Sequence, residues 1–417
     1  MARFNSIRSA VCAALSALGV GVTSLVCAQG YSVVQVGETG YQGYDLNNSG
    51  QVVGMVPGSD FSLPGGFLWK SGTTTFLTAP PGTATGYPPG SVAYVGGANA
   101  INASGKVAGT SSFLGLGGGS TNRASVWSGG SYTLLPPVSG YASSQGYGIN
   151  NSGQVVGFSS NGCCTAAATL WGKGTTTNLG TLGGSSGLAF GINSSGNVVG
   201  MSLITGDTAN YATLWSGGNI IDLGAERALS INNAGQIVGQ GSTAGGSGGA
   251  TFWNSSASAP VDLGWGSGPS AFANDLDSAG SVVGTGAIGG SWALGSAHGL
   301  LWNGSTSFDL NSLLDVNTWG DWTITSAIAI NDVGQILVRA GGFQSGAYYA
   351  LGSSATLLLT PCSHCSLVGA DVYWGRYRAA GGLVPIPEPE TYAILLAGLG
   401  LLGWQARRSK LKEAAVA

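Results

Sequence analysis

One nine-residue pattern recurs seven times between Leu46 and Val338. Each copy starts with an apolar residue, continues with Asn or Asp, two mostly small residues and Gly, and then enters an apolar strand that usually ends in Gly. The copies occupy residues 46–54, 101–109, 149–157, 192–200, 231–239, 276–284 and 330–338. Their turn glycines are about 40 to 55 residues apart, and self-similarity at this spacing is typical of a repeat architecture.

The chemistry of the turn predicts that each copy is a β-hairpin. An Asn or Asp side chain that opens a tight turn bonds its own backbone two residues on, and the closing Gly adopts a positive φ at little steric cost. A second motif follows each hairpin and ends in a large apolar residue, which in the seventh copy is predicted to be Leu351. In the other six copies this residue is Trp: Trp69, Trp127, Trp171, Trp215, Trp253 and Trp302. A small turn and another short strand come next, so each repeat has four predicted strands.

Four strands with one large aromatic residue cannot bury both faces of a sheet, whereas neighbouring sheets packed in a ring can. We therefore predict an all-β fold, a seven-bladed β-propeller of about 45-residue, four-strand repeats. The alternatives are an open β-solenoid or stacked-sheet array and a pair of smaller β-domains. A solenoid coil normally needs only about 20 to 30 residues, fewer than each repeat has. The periodic Trp residues are expected to be core contacts between adjacent sheets and not ligand-stacking groups.

The sequence leaves the closure of the ring open. Residues 31–37 resemble the last strand of a repeat, as if the N-terminus supplied an outer strand to the final blade. Residues 355–360 resemble the same strand of the seventh repeat. One of the two segments is therefore predicted to be additional or to pair elsewhere.

Composition fits a β-rich, loop-rich exported body. Glycine contributes 75 of 417 residues, and only 7% of residues are charged. Residues 31–384 contain eight basic and fourteen acidic side chains, and the basic ones form no stripe. Because binding through phosphates requires clustered positive charge, nucleic acid is not expected as a partner.

The N-terminal segment, residues 1–28, is predicted to be a signal peptide. Arg3 and Arg8 precede an apolar run at 10–26, and small residues precede the expected signal-peptidase cut after Ala28. A lipoprotein signal at Cys27 is the alternative, but the residue before it is Val.

The C-terminal segment, residues 387–412, resembles the PEP-CTERM sorting signal of Gram-negative bacteria. Its features are a Pro-Glu-Pro motif, an apolar stretch predicted to be a short helix and a basic cluster, formed by Pro387, Glu388, Pro389, residues 392–404, Arg407 and Arg408. The resemblance implies recognition and cleavage by an exosortase. Thirteen apolar residues are fewer than the ~20 that cross a bilayer comfortably, which favours a temporary anchor. A permanent C-terminal membrane anchor is the alternative.

The repeats resemble the extracellular HAF-repeat family, whose His-Ala-Phe motif survives here approximately as His298-Gly-Leu-Leu-Trp302. The best match runs from Ala168-Thr-Leu-Trp171 to the hairpin at 192–200, and weaker copies cover most of 31–361. The resemblance implies a repeat body outside the cytoplasm and no general reaction.

The sequence predicts no catalytic residue, metal or cofactor. The body contains only His298 and His364, and its carboxylates are dispersed, whereas acid–base chemistry needs paired groups with separated pKa values. Asp275 and Asp277 share one hairpin and are expected to cap the turn. The hairpins that begin with Asp45 and Asp275 resemble calcium loops but have Val56 and Gly286 where such a loop needs Glu.

Removal of the signal peptide leaves four cysteines: Cys163, Cys164, Cys362 and Cys365. Disulfides are the default in an exported protein, and their pairing cannot be deduced from sequence. A metal site that combines these cysteines with His364 is the alternative. Residues 29–361 are the predicted repeat body, and 362–386 are the predicted Cys- and aromatic-containing extension and linker.

Two classes of function are compatible with these features. The first is an exported, noncatalytic cell-surface or biofilm-matrix protein, with signal peptidase and exosortase as partners during export and exopolysaccharide as a later partner. The second is a carbohydrate-binding or carbohydrate-active propeller. Its sugar-stacking candidates are the aromatic residues outside the repeat: Trp265, Trp292, Trp319 and Trp322.

Overall fold

The computed structural model describes ten segments: 30–57, 65–78, 92–114, 120–162, 165–242, 248–264, 271–287, 297–314, 322–342 and 354–362. They form 28 strands in seven antiparallel four-stranded sheets. The first strand, β1 (Gly30–Gln35), belongs to the last sheet.

The next 24 strands form six sheets in chain order, blades 1 to 6. Blade 1 consists of β2 (Gln42–Leu46), β3 (Val52–Met55), β4 (Gly66–Lys70) and β5 (Thr73–Phe76). Blade 2 consists of β6 (Val92–Ile101), β7 (Val107–Leu114), β8 (Ser120–Ser128) and β9 (Ser131–Leu135). Blade 3 consists of β10 (Ser143–Ile149), β11 (Val155–Ser160), β12 (Ala166–Gly172) and β13 (Thr175–Asn178).

Blade 4 consists of β14 (Gly183–Ile192), β15 (Val198–Ile204), β16 (Asn210–Ser216) and β17 (Asn219–Asp222). Blade 5 consists of β18 (Arg227–Ile231), β19 (Ile237–Ser242), β20 (Gly248–Trp253) and β21 (Val261–Asp262). Blade 6 consists of β22 (Ala271–Leu276), β23 (Val282–Ala287), β24 (Ala297–Asn303) and β25 (Thr306–Asp309), followed by a 3-10 helix, Leu310–Leu313.

Blade 7 closes the ring with both ends of the body. It consists of β26 (Trp322–Ile330), β27 (Ile336–Gly342), β28 (Ser354–Cys362) and β1 as its outermost strand. Strands β1 and β28 are antiparallel, with Gly30 opposite Cys362 and Gln35 opposite Leu357. Both segments that resembled a last strand lie in this blade, so the prediction that one of them is additional or pairs elsewhere was wrong. The seven-bladed β-propeller is confirmed.

The prediction of Leu351 at the Trp position of blade 7 was wrong. In blade 1, Val52 is opposite Trp69, and the corresponding residue of blade 7, Ile336, is opposite Leu359. Leu351 itself lies outside the described residues. The error arose because β28 was assigned as the fourth strand of its blade, whereas it is the third and β1 is the fourth.

The periodic Trp residues are confirmed as contacts between blades. Each is at most 4% exposed, and Trp215, for example, packs in one cluster with Val156 and Ala168 of the preceding blade. Five of the indole N–H groups also donate to backbone carbonyls of the preceding blade at 2.6 to 3.2 Å. Each interface thus combines apolar burial with a satisfied indole donor, as buried Trp residues require.

Every innermost strand carries a β-bulge at the same place, three residues before the turn Asn or Asp. The bulged residues are Tyr44, Asn99, Tyr147, Phe190, Leu229, Asn274 and Ile328. In six blades a glycine of the second strand faces this bulge; at Gly157, an added Cβ would overlap the Gln145 carbonyl. The recurrent glycine at the end of the nine-residue pattern therefore makes room for the bulge.

Several predictions fall on residues 1–29 and 363–417, which lie outside the described residues. These include the signal peptide, the sorting motif and the apolar helix at 392–404. Within the described segments, no helix is long and apolar enough to cross a membrane.

Candidate functional site

The two ends of the ring are built differently. At one end, called the turn end here, hairpins join the first strand of each blade to the second and, in blades 1 to 6, the third to the fourth. At the other, the loop end, the remaining connections run within and between blades. The turn end carries the seven Asn or Asp hairpins around the axis of the ring.

At the turn end, asparagine side chains link neighbouring blades in a circle. The Nδ2 group of Asn47 donates to the Asn102 carbonyl at 3.0 Å, and Asn331 donates to the Asn47 carbonyl at 3.0 Å. Asn102, Asn150, Asn193 and Asn232 make the corresponding bonds to the next blade at 3.0 to 3.2 Å. Six of the seven junctions between blades therefore have this bond, and we call the set the asparagine ring.

The same residues also shape their own turns. The Oδ1 atom of Asn47 accepts the backbone N–H groups of Ser49 and Gln51, each at 3.1 Å. Asp277 caps its turn in the same way, accepting from Ala279 and Ser281 at 2.9 and 2.8 Å. The turn-capping role predicted for Asp275 and Asp277 is thus confirmed for Asp277 but was wrong for Asp275, which accepts from Ser230 and Ile330 of neighbouring blades. The circular link between blades was not foreseen.

The one incomplete junction lies between blades 6 and 7. Asp277 occupies the position of the ring asparagine in blade 6, and a carboxylate has no N–H with which to reach the Asn331 carbonyl. Asp277 is 8% exposed. The sequence shows this exception directly, because it is the only one of the seven copies with Asp in place of Asn.

Inside the circle of turns lies a polar cavity of about 210 Å³, lined by turn residues of all seven blades. Its rim holds the residues that follow the ring positions, and four of these also connect blades through backbone N–H groups. Ala103 donates to Asn151 Oδ1 at 3.0 Å, and Ser278 donates to Asp332 Oδ1 at 2.9 Å. Ser194 and Asp332 donate similarly to the side chains of Asn233 and Asn48.

Two carboxyl groups, Asp45 and Asp275, lie two residues before ring positions on innermost strands. Asp45 accepts the backbone N–H of Ile101 in the next blade at 2.8 Å. Asp275 accepts the N–H of Ile330 in its next blade at 3.0 Å and the hydroxyl of Ser230 at 2.7 Å. Both carboxyls are half-buried and act as links between blades.

Loss of solvent in the interior of the ring changes the protonation of this pair. Burial raises the pKa of Asp45 to about 8, and the charge of Asp275 adds to this rise. Burial likewise raises the pKa of Asp275 to about 6, although hydrogen bonds from Ile330 and Ser230 oppose the shift. Desolvation dominates in both cases because it disfavours the charged form more than these bonds favour it.

His298 belongs to a second polar cluster, at the junction of blades 6 and 7. Its Nδ1 atom is 2.7 Å from Asp309 Oδ2, and the His298 residue is 6% exposed. Asn311 Nδ2 donates to Asp309 Oδ1 at 2.9 Å and to the Ile324 carbonyl at 3.0 Å. In return, Ile324 donates its N–H to Asn311 Oδ1 at 2.7 Å, so the cluster joins the outer part of blade 6 to β26.

The structure describes few of the residues proposed for binding or cross-linking. Trp322 starts β26 and packs half-buried against the core cluster of blade 7. Cys362 is the last residue of β28. The remaining candidates lie outside the described residues: Trp265, Trp292, Trp319, Cys163, Cys164, Cys365, Pro387, Glu388, Pro389, Arg407 and Arg408.

The polar groups of the described site form hydrogen bonds that hold the turns in shape and join neighbouring blades. Its amides and carboxylates bond backbone groups within a turn or across a blade junction. Within the described segments, no group of three or more His, Cys, Asp or Glu could hold a metal ion. The sequence does carry a signal for the asparagine ring, because Asn recurs at equivalent turns.

Comparison with known proteins identifies one feature of the chain. Residues 385–409 match the PEP-CTERM protein-sorting motif, which confirms that part of the resemblance. The motif implies an exported protein that an exosortase processes during membrane-associated sorting. The chain matches no curated protein.

Solved structures with similar arrangements are distant. The β-propeller domain of the Trilobed protease from Pyrococcus furiosus is 10% identical, with 65% of this chain and 84% of that chain covered at a TM-score of 0.40. TolB from Acinetobacter baumannii is 11% identical over 74% of this chain and 67% of its own, at a TM-score of 0.37. An α-L-arabinofuranosidase from Podospora anserina is 9% identical over 78% and 99%, at a TM-score of 0.24.

Proposed function

We propose that this protein is a noncatalytic component of the cell surface or of a biofilm exopolysaccharide matrix, sorted there by an exosortase. The observation that carries the proposal is the sorting motif at 385–409 on a chain whose body is a closed ring. Signal peptidase and the exosortase act on the chain during export. The HAF-like repeats suggest the same extracellular compartment.

The use of its polar groups supports a noncatalytic body. His298 is buried against Asp309 and Asn311, and the carboxyls of Asp45 and Asp275 accept backbone N–H groups of neighbouring blades. A general acid or base needs access to substrate within hydrogen-bond reach. The hydrogen bonds of these residues instead hold neighbouring blades together.

The processing step is tested by the intact mass and the location of the protein in strains with and without the exosortase. We expect the wild-type chain to lose its tail and reach the surface or medium, and to stay full-length in the membrane without the enzyme. Glu388→Gln should block processing, whereas the adjacent control Glu390→Gln should be processed. A full-length protein outside the cell in either strain would contradict the proposal.

A carbohydrate-binding propeller is the second candidate. Trp322 is the only described member of its aromatic set, and it retains partial exposure at the start of β26. On a glycan array, saturable binding that is lost in Trp322→Ala or Trp319→Ala without loss of folding would favour this candidate. Turnover of a polysaccharide by the purified protein would replace the noncatalytic proposal with an enzymatic one.

A further inference from the structure

We infer that the turn end of blades 1 to 3 lies against anionic phospholipid while the protein is tethered to the membrane. The inference rests on the proposed sorting function, which supplies the tether. Two independent features of the ring carry it: the place where the chain leaves the ring and the distribution of lysines.

The chain enters and leaves the ring at the turn end. Gly30, the first residue of β1, is opposite Cys362, the last residue of β28. In the other blades the hairpin between the third and fourth strands occupies this place, for example after Lys70 in blade 1. The predicted signal-peptide cut and the sorting tail therefore both connect to the body at the turn end.

The lysines of the described ring all lie at the same end. They belong to three successive blades: Lys70 is the last residue of β4, Lys106 lies between β6 and β7, and Lys173 lies between β12 and β13. All three are exposed. Within the described hairpins of this end, Asp332 is the one exposed carboxylate.

The loop end has the opposite charge. Its described exposed acids are Glu38, Asp207, Asp222, Glu226 and Asp262. The described arginines, Arg123, Arg227 and Arg339, lie on strands towards this end, and no lysine of the described ring does. A surface of negative charge therefore attracts the turn end and repels the loop end.

A membrane fits this face better than an acidic polysaccharide. The hairpins of the turn end are short, so together they offer a broad face without long loops, and the chain continues from Cys362 at this end towards the sorting motif at 385–409. Each lysine close to an anionic bilayer contributes about a fivefold preference for it. The attraction acts over about 8 Å at physiological ionic strength, so only the face nearest the membrane feels it.

The test uses the full-length chain in phosphatidylcholine vesicles with and without about one third phosphatidylglycerol. Lysines are acylated and carboxylates are modified, and the rate at each residue is read by mass spectrometry. We expect acylation of Lys70, Lys106 and Lys173 to slow about fivefold in the anionic vesicles and to recover at high salt. Modification of Glu38, Asp207 and Asp262 should be the same in both.

A variant separates charge attraction from simple crowding near the membrane. In Lys70→Gln/Lys173→Gln, the protection of Lys106 by anionic vesicles should disappear. The control Arg227→Gln, which removes one positive charge at the loop end, should keep it.

Three results would overturn the inference. Equal lysine labelling in both vesicles would show that the face does not contact anionic lipid. Protection by a soluble acidic polysaccharide but not by vesicles would assign the face to the matrix. A chain that floats with neither vesicle would contradict the tether, and with it the proposed function, whereas a floating chain with unprotected lysines leaves the sorting proposal intact.

Discussion

The ring asparagines show how one residue does two jobs at each blade junction. The Oδ1 atom caps the turn, and Nδ2 reaches the carbonyl of the next turn. An Asp performs the first job alone, since a carboxylate only accepts. The junction between blades 6 and 7, where Asp277 stands, therefore lacks the link that the other six junctions have.

Replacing Asp277 by Asn should complete the ring. The new amide would keep the turn cap through Oδ1 and donate to the Asn331 carbonyl, so we expect the free energy of unfolding to rise by about 1 kcal/mol. Urea denaturation measures this change.

The reverse substitution is the matched control. Asn232→Asp removes the donor to the Asp277 carbonyl and should lower the free energy of unfolding by about 1 kcal/mol. If Asp277→Asn were no more stable than the wild type, the circular link would not contribute to stability.

The raised pKa values of Asp45 and Asp275 predict that the free energy of unfolding falls as pH rises. An Asp carboxyl titrates near pH 3.9 in an unfolded chain, whereas the pKa values of these two in the ring are about 8 and about 6. Between these limits the folded ring holds protons that the unfolded chain releases. The contribution of these two groups to the free energy of unfolding should therefore be largest below about pH 4 and should be lost progressively as the pH rises to 8.

Denaturation at pH 5 and pH 9 measures this slope. Asp45→Asn/Asp275→Asn should flatten it, because an amide does not titrate, even if the variant is less stable overall. Asp222→Asn, at an exposed carboxyl of the loop end, should leave the slope unchanged. A wild-type ring that gains stability between these pH values would refute the proposed protonation of the pair.

At the scale of strands, the bulge explains why the nine-residue pattern ends in Gly. We expect Gly157→Ala to destabilise the ring by about 1 to 3 kcal/mol, because its Cβ would overlap the Gln145 carbonyl of the neighbouring strand. Gly341→Ala is the control, since a Cβ there has ordinary contact with Thr325 at 3.8 Å. Equal unfolding midpoints for the two variants would contradict the steric role of Gly157.

The Trp contacts predict a large cost at each blade interface. Trp171→Ala removes a buried ring and leaves the Pro136 carbonyl without its indole donor, so the free energy of unfolding should fall by about 3 to 5 kcal/mol. Trp322→Ala, at a half-buried residue outside the repeat, should cost less. An unchanged unfolding curve for Trp171→Ala would show that the Trp residues do not stabilise the interfaces between blades.

Periodic features of the sequence predicted the strands well. The Asn-to-Gly turns predicted the hairpins and the number of blades, because a hairpin depends on local turn chemistry. The Trp positions predicted the interfaces between blades, because each interface depends on one repeated side chain. The bulges were not predictable, since Tyr44, Asn99 and Leu229 share no side-chain property. The assignment of Leu351 to the Trp position was wrong because the order of strands in blade 7 depends on the pairing of β1 with β28. These two strands come from opposite ends of the body in the sequence, so no local pattern predicts that they pair.

The candidate site was predictable only in part. The turn-capping Asp277 followed from its position, but the pKa values of Asp45 and Asp275 depend on burial inside a ring that no local pattern encodes. The link from Asn331 to Asn47 likewise spans 284 residues.

For the whole molecule, closure is the feature on which the rest depends. The asparagine ring, the polar cavity and the charge difference between the two ends exist only if blade 7 packs on blade 1. One cluster joins them, in which Val36, directly after β1, is fully buried with Trp69 of blade 1 and Leu337 of blade 7. The ring is held by strands from opposite ends of the body.

A disulfide between β1 and β28 tests this closure most directly. Ser32 is opposite Thr360, with Ser32 Oγ 3.3 Å from the Thr360 carbonyl oxygen. In a chain whose Cys163, Cys164, Cys362 and Cys365 are changed to Ser, Ser32→Cys/Thr360→Cys should oxidise almost completely to an intramolecular bond, seen as faster migration on a non-reducing gel. The control Ser32→Cys/Thr73→Cys, which pairs β1 with a strand of blade 1, should not. Cross-linking of the control pair in place of the first would show that the ring is not closed by β1 and β28.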